Sequence, residues 1–186
     1  MNIVLFGAPG VGKGTQAEIL AERLGVRHIS TGAIFREAIT AQKPLGLEAR
    51  RYMDEGRLVP DEVTTAIALE AIDASPDGFI LDGFPRNRNQ AESLHKALVA
   101  GGRNIDRVVY LTAPLDELIQ RMMKRGRADD TEDVIRTRFD VYDRETSPVL
   151  DFFREIDHVV EINGVGEIEE VQQRILSAIK EGAETE

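Results

Sequence analysis

The sequence has no cysteine, which excludes disulfides, thiolate catalysis and cysteine-ligated zinc together. No structural zinc is expected. It also has no apolar run of the length that spans a bilayer, and its start, MNIVLFGAPG, lacks the basic residues and small-residue cleavage site of a secretory signal. A soluble, cytoplasmic protein with no membrane partner is the expectation. Positive charge is in the minority, with 23 Lys and Arg against 33 Asp and Glu for a net charge of -10. That balance repels polyphosphate backbones, so nucleic acid is not an expected partner and any phosphate site must come from a local cluster. Internal repeats and low-complexity segments are missing too, and residues 181–186 read as a frayed, solvated tail. What is present suffices for one core: 186 residues, 42% hydrophobic, at the long end of the single-domain range.

Short apolar runs at residues 3–6, 27–29, 79–81, 108–111 and 159–162 predict five strands. Helical patterns lie between them, the first running through Ala17, Ile19, Leu20 and Leu24 to a glycine stop at Gly25. No two strands are joined by a hairpin-sized turn, so the expected class is α/β, three-layered, with a five-stranded parallel sheet covered on both faces. The second and third runs are about fifty residues apart, more than one crossover helix needs. Helical patterns at 32–41, 47–55 and 62–72, punctuated by Pro44, Gly46, Gly56 and Pro60, fill the gap as a small helical flap. A second irregular stretch, KRGRADDTED at 124–133, is charged and reads as a short loop over the site.

The string GAPGVGKGT at 7–15 carries the chemistry. It matches most of the P-loop pattern, in which glycines let backbone N–H groups turn inward around phosphate, a helix N-terminus adds its dipole, and Lys13 adds a point charge at the β and γ phosphates. A glycine turn needed for packing alone is the alternative, but four glycines, a lysine and strand-to-helix flanks in one window speak against it. Gly14 stands where a magnesium-binding Ser or Thr is usual, with Thr15 one place later. The loop names a phosphate ligand and no reaction.

The set GAPGVGKGTQ, HISTGAIFR, EGRLVPD, ILDGFPRNRNQ and GRADD followed by RTRFDVY, in order over residues 1–179, resembles adenylate kinase. The short charged stretch is similar to the short-lid bacterial form, most of all the actinobacterial one. The resemblance implies the P-loop nucleoside monophosphate kinase fold, with a core at 1–29, 60–123 and 134–186, an NMP-binding flap at 30–59 and a lid at 124–133. It implies ATP, AMP and ADP as ligands, Mg2+ accompanying ATP, a monomer, and a place in adenine nucleotide homeostasis and biosynthesis.

Residue roles follow from the same resemblance. Gly10, Val11, Gly12, Lys13, Gly14 and Thr15 would hold ATP, with the backbone carbonyl at Gly166 meeting its adenine. Asp82 would order magnesium through water, and Thr15 is the second metal candidate. Thr31, Gly32, Arg36, Arg57, Leu58, Val59, Gly83, Arg86 and Gln90 would bind AMP. Asp82 and Arg86 follow a central strand directly, where ligands of open parallel sheets bind. Arg121 and Arg125 are four apart and share a helix face. With Arg127 and Arg138 they would converge on the transferred phosphate, the first pair serving ATP and the second reaching toward AMP. Asp129 and Asp130 could hold lid arginines or simply favour the next helix start. Taken singly, Thr31 reads as a helix cap and Gln90 as a solvent-facing residue. No histidine or carboxylate is placed as a general base, which suits a reaction carried by positioning and electrostatics. A UMP/CMP kinase is the enzyme alternative, disfavoured by Thr31 and Gln90. A nucleotide-binding switch or scaffold is the non-enzyme alternative.

Overall fold

Consecutive apolar residues in a parallel strand bury alternately on two faces, and this chain uses both. The computed structural model describes residues 1–156 and 159–183; residues 184–186 of the expected tail lie outside them. Five parallel strands, β1 (Asn2–Gly7), β2 (Arg27–Ser30), β3 (Phe79–Asp82), β4 (Arg107–Thr112) and β5 (Val159–Asn163), form one sheet in the order β2-β3-β1-β4-β5. Val4 pairs with Leu81 on one side and Val108 on the other. Val4, Phe6, Ile29, Leu81 and Val108 face α4 (Asp61–Asp73), α5 (Arg88–Ala100) and α8 (Val149–Glu155), while Ile3, Leu5, Ile80, Val109 and Ile162 face α1 (Lys13–Leu24), α6 (Leu115–Arg125) and α9 (Ile168–Ala183). The three layers and the parallel sheet are therefore as expected.

The chain leaves β1 toward β2 and leaves β4 toward β5, in opposite directions from neighbouring strands. Diverging crossovers open a crevice at the carboxyl ends of these strands, and the glycine loop leaves β1 into it.

The insertion folds as α2 (Thr31–Thr40) and α3 (Pro44–Asp54) before α4. Pro44 and Gly46, read from sequence as breaks, instead lie within α3. Proline is tolerated in the first helical turn, where its missing N–H costs nothing. Gly46 lets α2 and α3 touch, because a Cβ there would sit 2.2 Å from the Ala38 carbonyl carbon. Phe35, Ala49 and Val59, backed by Leu45, Tyr52 and Val63, give the insertion a small apolar cluster of its own. The charged stretch is shorter as a loop than expected: Lys124 and Arg125 finish α6, Gly126 caps it in the left-handed region, and α7 (Glu132–Val141) begins after its N-cap Thr131. A π-helical turn, Tyr142–Thr146, then joins α7 to the segment leading into α8.

Candidate active site

At the end of β1 the backbone turns through left-handed glycines at Gly10 and Gly12, and Gly12 caps α1 without a side-chain hydrogen bond. Amides of the first helical turn are thus left for a ligand. Lys13 Nζ donates to the Gly7 carbonyl at 2.7 Å and the Ala8 carbonyl at 3.1 Å. Burial lowers its pKa to about 8, helped by Arg86, Arg125 and Arg127 and opposed by Asp82.

At the end of β3, Asp82 accepts from Ser30 Oγ at 3.1 Å and faces His28 Nε2 at 3.6 Å. Burial pushes its carboxyl up, but His28, Lys13 and Ser30 outweigh that and hold it below the usual carboxylate range. It is therefore ionised at neutral pH. The chain then passes a cis Phe84-Pro85 bond to Arg86, whose Nε donates to the Gly83 carbonyl at 2.7 Å. Gln90, buried and not solvent-facing, accepts from the Arg86 amide at 2.8 Å and donates to Asp61 Oδ1 at 2.7 Å. Asn87 caps α5 by accepting from the Gln90 amide. On the flap side, Ser30 and not Thr31 caps α2, while the Thr31 hydroxyl donates to the Gly83 carbonyl at 3.0 Å. The hydroxyl expected to meet AMP is thus held on the backbone.

Arg121 spans two loops, donating to the Val11 carbonyl at 3.2 Å and the Gly164 carbonyl at 3.1 Å, and it pairs with Glu117 one turn back. Asp130 organises the stretch between α6 and α7. Its side chain is fully buried and takes a bidentate pair from Arg125 at 2.7 and 2.8 Å, a bond from Arg138 at 2.9 Å and the Arg127 amide at 3.2 Å. Asp129 pairs with Arg138 as well. Burial raises the Asp130 carboxyl, but the Arg125 fork and the Arg127 amide overcome it, leaving the group held down. Arg57 lines the cavity with its guanidinium on Glu55 and over the Tyr52 ring at 5.1 Å.

Among the described residues, Lys13, Arg36, Arg86 and Arg127 make no ion pair at all. Burial lowers the pKa of all three guanidiniums, and neighbouring cations add to it, while Asp129 at Arg36, Asp82 at Arg86 and Asp130 at Arg127 oppose it. All four, together with Gly10, Val11, Gly12, Gly14, Thr15, Thr31, Gly32, Leu58, Val59, Asp82, Gly83, Gln90, Arg121, Arg125, Arg138 and Gly166, line one cavity of about 520 Å³. That size suits nucleotide-sized ligands. Every site residue expected from sequence is brought to it. Sequence reasoning missed Ser30, Asp61 and Thr146, whose hydroxyl donates to the Arg86 carbonyl at 2.7 Å. Ser30 stands just before a helical pattern, which is a readable cap signal; Asp61 closes the EGRLVPD motif, and Thr146 carries no signal.

Oxygen donors suit magnesium, and an ionised Asp82, with Thr15 lining the same cavity, offers them. No group of three or more His, Cys, Asp or Glu that could hold a metal occurs among the described residues.

Comparison with known proteins gives one answer. A family model described as adenylate kinase matches residues 5–158. The chain is 50% identical over 182 residues to the adenylate kinase of Nocardia farcinica, covering 96% of this chain and 99% of that one. The adenylate kinases of Mycolicibacterium smegmatis and Corynebacterium glutamicum strain R are 49% and 46% identical over 181 residues, at the same coverage. These are actinobacterial relatives, as the short lid implied. With its sheet, glycine loop and cation-lined crevice matched along nearly the whole chain, the protein belongs to the adenylate kinase family.

Proposed function

We propose that the chain catalyses reversible transfer of the γ-phosphoryl group from MgATP to AMP, giving two ADP, and so serves adenine nucleotide homeostasis. The observation that carries the reading is the set Lys13, Arg36, Arg86 and Arg127, four cations without an ion pair facing one cavity. Cations without an ion pair gathered at one cavity call for anions, and two phosphorylated ligands supply them.

The residues divide the work between donor and acceptor. The amides of Gly10, Gly12, Gly14 and Thr15 cradle the ATP phosphates, with Val11 between them bonded to the Ala8 carbonyl, and Lys13 leaves the Gly7 and Ala8 carbonyls to meet them. Arg121 and Arg125 serve ATP, with Gly166 at its adenine. Arg36 and Arg86 clamp the AMP phosphate, and Arg57, Leu58, Val59, Gly32, Gly83, Thr31 and Gln90 shape the acceptor pocket. Arg127 and Arg138 lie between the two nucleotides, where charge spreads over the equatorial oxygens. Mg2+, when bound with ATP, neutralises phosphate charge near Asp82 and Thr15. A kinase must also keep water from the γ-phosphate. The flap at 30–59 and the lid at 124–133 close over acceptor and donor to do so, and the enzyme works as a cytoplasmic monomer.

A coupled assay tests the reading. Purified protein with MgATP forms ADP from AMP, and Lys13→Met abolishes it. Equal turnover of CMP or UMP reassigns the acceptor, and tight ATP binding without turnover makes the chain a switch.

A further inference from the structure

The loop between β5 and α9, residues 163–167, uses almost every peptide group it has. The Gly164 amide donates to the Thr112 carbonyl at 2.7 Å, and its carbonyl accepts from Arg121. The Val165 amide donates to Asn163 Oδ1 at 2.9 Å. One nitrogen of Arg174, Nη1, donates to both the Asn163 and Val165 carbonyls, at 2.8 and 2.7 Å. The Glu167 amide donates to Glu170 Oε2 at 3.1 Å, and its carbonyl accepts from the Val171 amide at 3.1 Å. Among the described residues, only the N–H and C=O of Gly166 remain without a partner in this loop.

Gly166 also has a backbone, φ +125°, that other residues rarely adopt, and a Cβ there would lie 2.5 Å from Glu170 Oε2. It lines the cavity, whereas Arg174 and Glu170 do not. These two side chains grip the loop from α9 while a single residue stays free to meet a ligand. Arg174 is exposed and lies off the buried face of α9 made by Val171, Ile175 and Ile179.

We infer that Arg174, supported by Glu170, is a positioning residue that holds the 163–167 loop so that the free Gly166 groups select adenine over guanine in the phosphoryl donor. This rests on the proposal that ATP places its base here. A free carbonyl beside a free amide matches the adenine edge, which offers an amine donor next to a ring-nitrogen acceptor. Guanine offers the reverse pair at the same positions, and an unmatched polar group in a closed site is penalised. A slack loop would let Gly166 turn and accept either edge. Arg174 keeps it from turning.

R174M and R174K, assayed beside the wild type, test this. R174M raises the KM for ATP about tenfold, the size expected on losing hydrogen bonds from a charged group. The preference for ATP over GTP as donor falls about fivefold, the KM for AMP stays within about twofold, and R174K recovers part of the loss because it keeps the charge without the planar fork. Hydrogen exchange of the peptide covering 163–167 is faster in R174M at an unchanged melting temperature. If R174M instead lowers the melting temperature and raises both KM values alike, Arg174 is a stability residue and the inference fails. A wild-type loop protected from exchange by ATP, with R174M unchanged in KM and donor preference, overturns the clasp alone. A wild-type loop that ATP leaves unprotected overturns the placement of the donor base as well.

Discussion

Lys13 and Arg86 beyond the carboxyl edge of the sheet, and Arg125 and Arg138 around the 124–133 stretch proposed as a lid, face the same cavity but are held in opposite ways. The sheet pair rests only on backbone carbonyls, those of Gly7, Ala8 and Gly83. The lid pair rests on carboxylates, Asp129 and the buried Asp130. A carbonyl dipole steadies a cation without cancelling its charge, so the sheet side keeps two cations against one ionised carboxylate, Asp82, and stays electropositive. A carboxylate cancels it, so the lid side is neutralised until nucleotide competes for its guanidiniums. On the proposed function the difference gives the cations separate roles, an anion cradle at the sheet edge and a charge-paired cover.

Removing one cation from the cradle breaks the comparison most severely. Lys13→Met deletes the point charge aimed at the β and γ phosphates, and kcat drops by about 10³-fold or more, on the scale of losing one preorganised electrostatic donor. Single-turnover rates measure it; a loss under tenfold means the glycine-loop amides alone suffice. Asp130→Asn strikes the other side. It leaves Arg125 and Arg138 without the carboxylate that sets their spacing, and kcat/KM for ATP falls about 10²-fold, as for a displaced positioning group. Unchanged kcat/KM in that variant means the lid arginines find their places without Asp130.

The cradle was also the more legible of the two in the sequence, for a physical reason. Its glycines, Lys13 and strand-to-helix flanks are contiguous, so local chemistry states the site. The sheet was legible likewise, because strands buried on both faces read as short apolar runs. The lid acids were readable only as two alternatives, and the structure realises the ion pairs with Thr131 supplying the helix cap. Pro44 and Gly46 misread as breaks because their purpose is tertiary: a first-turn proline and a helix contact at Ala38. Thr146 was silent, since nothing near it says that a π-helical turn sets its hydroxyl on Arg86, sixty positions away.

Titration separates the two sides more gently. Lys13 has a pKa near 8 in the free protein, below its ordinary 10.5, because burial disfavours the ammonium. Phosphate binds the ammonium, so ATP affinity is full below pH 8 and falls about tenfold by pH 9 as the free enzyme gives up its proton. The fold does not share that loss. A lysine whose folded pKa is below the unfolded one weakens the fold while it is charged, and the penalty lifts as pH rises from 8 toward 10.5. Calorimetric ATP titrations from pH 7 to 9.5 follow the effect, and Lys13→Arg, charged throughout, flattens it. A wild-type affinity level across that range contradicts the cradle as drawn.

The smallest expected effect tests whether the two sides are joined. The π-helical turn after α7, the helix that carries Arg138, ends at Thr146, whose hydroxyl bonds the Arg86 carbonyl at 2.7 Å. This is a direct link from the lid-side helix to the acceptor clamp. Thr146→Val keeps the shape and removes the donor, leaving a partly buried carbonyl unsatisfied at a cost of about 1 kcal/mol. If the bond holds Arg86 in place, that cost falls on AMP, whose KM rises about fivefold while the KM for ATP is untouched. If it only stitches the core, the melting temperature drops by a few degrees and both KM values stay. The split between the two nucleotides therefore reports whether the paired lid side and the unpaired sheet side act as one site.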